Sequence, residues 1–251
     1  MGGQVVMSDF VFTLTNDFGV ISYYRNDRYF IEALQSGEFF DQDLVTAHLT
    51  EIIAKSEVVV DAGAHAGSHT ILYKSINPSL EVHAFEPQIK LFELLKHNIA
   101  KNNLSNVYLY NQALANISAV VRLSDVVVDK DQTYEISYGT FSETNLGGVT
   151  LGHNGELVQT STIDDLNLSI CDFIKLDLEG SESLALLGAE QTIQQHHPTI
   201  LFEYNDKTLP LSVWNTFNEK PVAPSNLLTE WGYRIEKLPI GSNYLATWWG
   251  Q

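Results

Sequence analysis

The chain is short of positive charge. Against 31 Asp and Glu stand 14 Lys and Arg in 251 residues, a formal charge of -17, and a surface that grips a duplex needs clustered cations. Lys96 and Lys101 are scattered single charges, so nucleic acid is not an expected partner. A lone cysteine, Cys171, excludes an intrachain disulfide framework and any multi-cysteine metal site. Ahead of Asp172-Phe173-Ile174 it reads as a buried thiol at a strand start. No apolar run is long enough to span a bilayer, and no basic region followed by an apolar core opens the chain. A soluble, cytoplasmic module is the expectation. Repeats and low-complexity tracts are also missing. Core material is plentiful, with 44% hydrophobic and 11% aromatic residues, enough for one sizeable domain.

The organising stretch is VVVDAGAHAGSHT, residues 58–70. Three valines read as a buried strand, the small residues from Asp61 to Gly67 as a turn, and a helical pattern resumes at Ser68. Strand, Gly-containing turn and helix form the opening of a nucleotide-binding crevice, where Gly63 lets the backbone approach a ligand and Gly67 lets the helix lie close to the strand. The next strand, 81–85, ends at Glu86 before Pro87. An acidic residue there, twenty-five positions after Asp61, is where a ribose diol is held. The turn lacks the third glycine of GxGxxG and any basic residue for a pyrophosphate, which points to a nucleoside without phosphates. The competing reading is an ordinary strand-turn-helix whose glycines serve packing. His65 and His69 are four apart, but without the Glu of HExxH or an evident carboxylate third ligand no metal is expected. His65 either lines the crevice or is structural.

Residues 10–15 and 20–24 predict a β-hairpin around the turn 16–19, and 27–34 a short helix. These open an N-terminal extension, 1–40, ahead of a main domain, 41–251. Residues 41–55 form a helix; the acidic and aromatic approach 38–43 either closes over a ligand or supplies a cap from Asp41 and core from Phe39 and Phe40. An amphipathic helix over 88–103 precedes a third strand, 106–110, whose exit through Gln112 and Ala113 can receive a flat heterocycle. Residues 120–123 and 126–128 are extended. The aperiodic, glycine-rich stretch 134–158 is long for a connection and reads as a substrate loop. A short helix starts at 162–166, and the strand at 173–176 runs into Asp177-Leu178-Glu179-Gly180. A helix over 184–194, weakened at Gly188, a strand over 198–204, short helices at 211–218 and 227–231, and a hairpin of 233–238 with 244–249 complete the chain. The alternation predicts a three-layer α/β sandwich.

These segments resemble the FkbM-like family of S-adenosylmethionine-dependent methyltransferases, within the Rossmann-like class I enzymes. The carriers are VVVDAGAHAGSHT, HAFEPQ at 83–88, LLKHNIAKNNL at 94–104, NQAL at 111–114, TIDDL at 162–166, FIKLDLEGSE at 173–182 and ILFEYN at 200–205. The resemblance implies a mostly parallel seven-stranded sheet with the last strand inserted antiparallel, S-adenosyl-L-methionine as cofactor, and O-methylation of a hydroxyl on a sugar or other small metabolite. By position it puts Asp61, Gly63 and Gly67 by the methionyl part, Glu86 at the ribose, Gln112 and Ala113 at the adenine, Ala64, His65 and Pro87 among the further cofactor contacts, and Asp177, Glu179 and Glu182 beside the transfer site, with Glu203 at the neighbouring strand end.

Methyl transfer to an alcohol needs in-line alignment, exclusion of water and a group that takes the hydroxyl proton. Asp177, which also counts among the cofactor contacts, or Glu179 is the expected base or acceptor-orienting group. Against it stands a structural reading in which Glu179 and Glu182 cap the following helix and Asp177 accepts backbone hydrogen bonds. Lys175 reads as a partner to one of the carboxylates, and His153 is a distant candidate from the loop. The expected acceptor is a sugar hydroxyl, for instance on a deoxysugar of a glycan. The alternatives are another small hydroxylated metabolite or peptide, or an inactive cofactor-binding module with an assembly role. Oligomeric state stays open, a homo-oligomer included.

Overall fold

The structure is a computed structural model that describes all residues except 1–3, 8–9, 29, 31–34, 130–131, 141, 205–208 and 251. The N-terminal hairpin forms as predicted, β2 (Val11–Asn16) pairing with β3 (Gly19–Tyr24), and β1 (Gln4–Met7) adds a third antiparallel strand. The short helix expected at 27–34 falls partly outside the described residues; Asp27 itself bridges to Thr144.

The main sheet has seven strands: β4 (Val58–Ala62), β5 (Glu81–Phe85), β6 (Val107–Tyr110), β13 (Phe173–Leu176), β14 (Thr199–Glu203), β15 (Tyr233–Lys237) and β16 (Asn243–Trp248). Their order is β15-β16-β14-β13-β4-β5-β6, and β16 alone runs antiparallel to its neighbours. Every residue of β4 is buried, as expected of a central parallel strand covered on both faces. Alternate side chains feed two cores: Val59, Val82, Ala84, Phe173 and Leu201 one, Val60, Phe85, Ile174, Ile200 and Phe202 the other.

On the first face lie α1 (Gln42–Leu44), a π-helical turn Val45–Leu49, α2 (Thr50–Lys55), α3 (Ser68–Ile76) and α4 (Ile89–Lys101). The second carries α5 (Glu182–Leu187), α6 (Glu190–His196) and α8 (Pro224–Glu230), with α7 (Leu211–Thr216) in a smaller core beside them. The continuous helix expected at 184–194 is two helices. The carboxylate of Asp164, in a 3-10 turn Asp164–Leu166, accepts from the amides of Gln191 and Thr192 at 3.1 and 2.8 Å and so starts α6 afresh.

The stretch 134–158 is more ordered than its composition suggested. Its ends belong to β10 (Gln132–Glu135), paired with β9 (Val126–Asp129), and to β12 (Leu157–Ser161). With β7 (Ala113–Leu114), β8 (Val120–Leu123) and β11 (Leu151–Gly152), β12 builds a four-stranded side sheet. The buried Gln88 pins the loop by donating to Leu146 O at 2.9 Å and accepting from Tyr138 OH at 2.7 Å.

Candidate active site

A cavity of about 830 Å³ opens at the carboxyl ends of the parallel strands, where the sheet order reverses between β4 and β13, the usual ligand crevice of an open α/β sheet. Of the residues singled out in the sequence, Gly63, Ala64, His65, Glu86, Pro87, Gln112, Ala113, Asp177, Glu179 and Glu203 line it.

The turn after β4 is shaped by backbone space. Gly63 has φ 78, and a Cβ there would lie 1.9 Å from the carbonyl oxygen of Asp177, so a side chain is excluded twice over. Glu86 is buried, its two carboxylate oxygens accepting the amides of His65 at 3.0 Å and Gln88 at 2.9 Å. Burial pushes its pKa up to about 6, opposed by His65 and by those two amides. Asn111 braces the same bend by donating to the carbonyls of Glu86 and Pro87, both at 2.9 Å.

Two residues expected at the ligand stand behind the wall. Asp61, 0% exposed, accepts from Thr70 Oγ1 at 2.6 Å and faces the Lys175 ammonium at 3.4 Å. Gly67, with φ 96, is packed by Leu95, whose Cδ1 would meet a Cβ at 2.7 Å. Lys175, read from sequence as a partner to some carboxylate, holds two: Asp61 and Asp177, each at 3.4 Å, while donating to Gly63 O at 2.8 Å. Burial opposes its charge, but Asp177, Asp61 and Asp41 outweigh burial and hold the ammonium above its ordinary pKa.

Asp177, Glu179 and Glu203 each bring a carboxylate oxygen within 4.8 Å of the others. Burial, then the charges of Asp177 and Glu179, push Glu203 up to about 9, so near neutral pH this carboxyl group holds a proton. Of the two acids read as caps of the following helix, Glu182 braces the turn that leads into it. Glu182 is buried, accepts from the amides of Leu178 and Gly180 at 2.9 and 3.1 Å, and does not reach the cavity, whereas Glu179, with φ 54, lines it. His153 is not brought to the site and lies 2.7 Å from Ser212 Oγ.

The remaining wall comes from the N-terminal part. Phe30 stacks on His65 at 4.5 Å, and His65 Nε2 lies 3.2 Å from Oδ2 of the fully buried Asp27. His65 thus lines the cavity, one of the two roles read for it. Phe40, Asp41 and His69 line it too. The cap read as one alternative for Asp41 does not form: its φ is 56 and its side chain makes no cap hydrogen bond, while Phe39 enters the core and Phe40, partly buried, packs against it. His69 and Asp41 approach to 3.7 Å, so the two histidines face different carboxylates. Sequence reasoning missed Ser242 and Asn243, which reach the cavity because β16 runs antiparallel. Nothing local in their sequence signals that.

The sheet order, the inserted antiparallel strand and the crevice define a class I methyltransferase fold. The sequence profile of the methyltransferase FkbM domain matches residues 61–235. The chain belongs to that family of S-adenosylmethionine-dependent methyltransferases. It is 25% identical over 203 residues to methyltransferase sdnD of Sordaria araneosa, covering 71% of this chain and 78% of that one. Among solved structures it is similar to methyltransferase FkbM from Methylobacillus flagellatus KT, 20% identical with a TM-score of 0.48 over 77% of this chain and 44% of that one. This chain thus spans less than half of that protein's length. A methyltransferase from Geobacter sulfurreducens gives 11% identity and a TM-score of 0.46, covering 88% of this chain and 87% of that one. No helix among the described residues is long and apolar enough to cross a membrane.

Proposed function

We propose that this protein transfers a methyl group from S-adenosylmethionine to a hydroxyl of a sugar, such as a deoxysugar of a glycan. The observation that carries the cofactor half is the Glu86 carboxylate at the cavity wall. A carboxylate has about four acceptor positions, and the amides of His65 and Gln88 occupy two, leaving two for a vicinal diol. The turn at Gly63 and the wall of Gln112 and Ala113 fit a nucleoside with an amino-acid tail. Ala64, His65 and Pro87 complete that side.

S-adenosylmethionine supplies a methyl group already activated on a sulfonium. The protein's part is to orient the acceptor and keep water out. Asp177 and Glu179 suit an acceptor-orienting role, because both line the cavity and the Lys175 ammonium holds Asp177 there at 3.4 Å. The cavity wall has several carboxylates and one ammonium, which suits a polyhydroxylated acceptor better than an anionic one. The first forty residues are proposed as an extension that completes the acceptor side. An inactive cofactor-binding module is the competing reading.

Calorimetric titration with S-adenosylhomocysteine, followed by labelled-methyl transfer to a panel of sugars and glycans, tests this. Glu86→Ala is expected to lose binding by at least tenfold, and Asp177→Asn to bind normally while turning over at least tenfold more slowly. A well-folded wild type that does not bind S-adenosylhomocysteine would end the cofactor reading. Binding with no transfer to any sugar or glycan would end the sugar reading.

A further inference from the structure

We propose that Asp41, paired with His69, is the residue that takes the proton from the acceptor hydroxyl. This rests on the methyltransferase reading above and adds a residue from outside the strand ends. Asp41 comes from the approach to α1 and His69 from the first turn of α3, directly after the Gly63–Gly67 turn; both line the cavity that Lys175 and Asp177 also line. His69 is 5% exposed, and its Nε2, 3.7 Å from Asp41 Oδ2, has no hydrogen-bond partner among the described residues. A buried polar atom left unpaired against a cavity is costly unless a ligand completes it. Asp41 is itself held at φ 56 without the cap hydrogen bond that its position invites, so its carboxylate is not spent on the helix. Asp177, in contrast, already faces Lys175 and Glu203.

The groups facing Asp41 are His69 and Tyr73 of α3, Lys175 of β13 and Asp177 just past its end, Tyr23 of β3 and, along its own helix, Asp43. Burial first, then Asp177 and Asp43, raise Asp41 to about 7 against the pull of Lys175, the range in which a carboxylate is an effective base at neutral pH. Burial and Lys175 lower His69 to about 3, so its imidazole stays neutral and can orient the acceptor hydroxyl. In the transfer the acceptor oxygen bonds to the methyl carbon as the carbon-sulfur bond breaks. The bonding pair leaves with sulfur, and the hydroxyl proton moves to Asp41, which returns it to water.

Two measurements on the full chain test this. With the sugar acceptor found by the labelled-methyl panel, wild-type kcat/KM should rise about tenfold per pH unit up to pH about 7 and then level. Asp41→Asn should bind S-adenosylhomocysteine within about threefold of wild type, lose kcat by about 10²-fold or more and lose that acid limb. Retention of the limb in Asp41→Asn, or its loss in Asp177→Asn alone, overturns the assignment while leaving the methyltransferase reading intact. The second measurement needs no acceptor: nitrogen NMR of histidine-labelled protein, with the His69 signals assigned by His69→Gln. His69 should keep neutral-imidazole shifts down to pH about 5 and show an inflection near 7 that Asp41→Asn abolishes. An imidazolium signature between pH 5 and 7, or no inflection, overturns the proposal even if no sugar is methylated.

Discussion

Lys175 has the most demanding position of any single residue. Its side chain is 3% exposed, and the ammonium lies between Asp61, whose side chain is wholly buried, and Asp177, whose side chain is 32% exposed. Replacing it with methionine would leave Asp61 with only the Thr70 hydroxyl, and an uncompensated buried charge costs about 3–5 kcal/mol. Lys175→Met is therefore expected to lower stability in urea denaturation by that much, and the double variant Lys175→Met with Asp61→Asn to recover a large part of the loss. A loss below about 1 kcal/mol would show that the pair is not what closes the strand ends. The alternation along β13 was enough to make Lys175 a partner to a carboxylate. Which carboxylate it meets depends on the register that sets Lys175 beside Asp61 across two parallel strands, and no local pattern carries a register between strands more than a hundred residues apart.

At the scale of elements, the N-terminal sheet is docked by amides rather than by a strand. Asn98 of α4, buried within the helix's apolar stripe, exchanges hydrogen bonds with the backbone of Ser22 at 2.9 Å each way and also donates to Ala66 O at 2.8 Å. One turn on, Asn102 accepts from the amide of Val20 at 2.8 Å and donates to its carbonyl. The two side chains thus supply the pairing that a neighbouring strand would give to β3. Asn98→Leu keeps the volume but orphans three buried backbone groups, each worth about 1–3 kcal/mol. The expected result is a destabilised sheet that opens to protease near the 16–19 turn before the main domain unfolds. It should also bind S-adenosylhomocysteine more weakly, because Asp27 and Phe30 brace His65 from this side. Unchanged proteolysis would refute the clamp. The hairpin and the amphipathic helix were both legible in the sequence. Periodicity registers that a position faces inward, however, and not that a polar side chain there pairs with another element's backbone. The split between α5 and α6 escaped for the same reason, since its cause is the carboxylate of Asp164 arriving from a distant turn.

For the whole molecule, the sequence gives the excess of acid and the structure shows where it is buried. Burial is the leading cause that raises Glu86 to about 6, Asp41 and Glu182 to about 7 and Glu203 to about 9. In the unfolded chain such carboxyls ionise near pH 4. Above that pH the native state binds protons that the unfolded state has released, so the stability these groups contribute is full on the acid side and is lost as pH rises through their folded values. His69 works in the opposite sense: lowered to about 3, it costs stability as pH falls below the ordinary histidine value of about 6.5. Four carboxyls outweigh one imidazole, and the formal charge of -17 adds self-repulsion that grows in the same direction. The urea midpoint is therefore expected to fall from pH 5.5 to 7 and again from 7 to 9. Salt at about 0.5 M should flatten the trend only in part, because it screens repulsion between exposed charges but not the cost of ionising a buried carboxyl. Glu203→Gln, which imitates the protonated side chain, should flatten the step between pH 7 and 9 in particular. A midpoint that rises between pH 5.5 and 8 would mean that these carboxyls are already ionised in the native protein, and that the cluster of Asp177, Glu179 and Glu203 holds no proton.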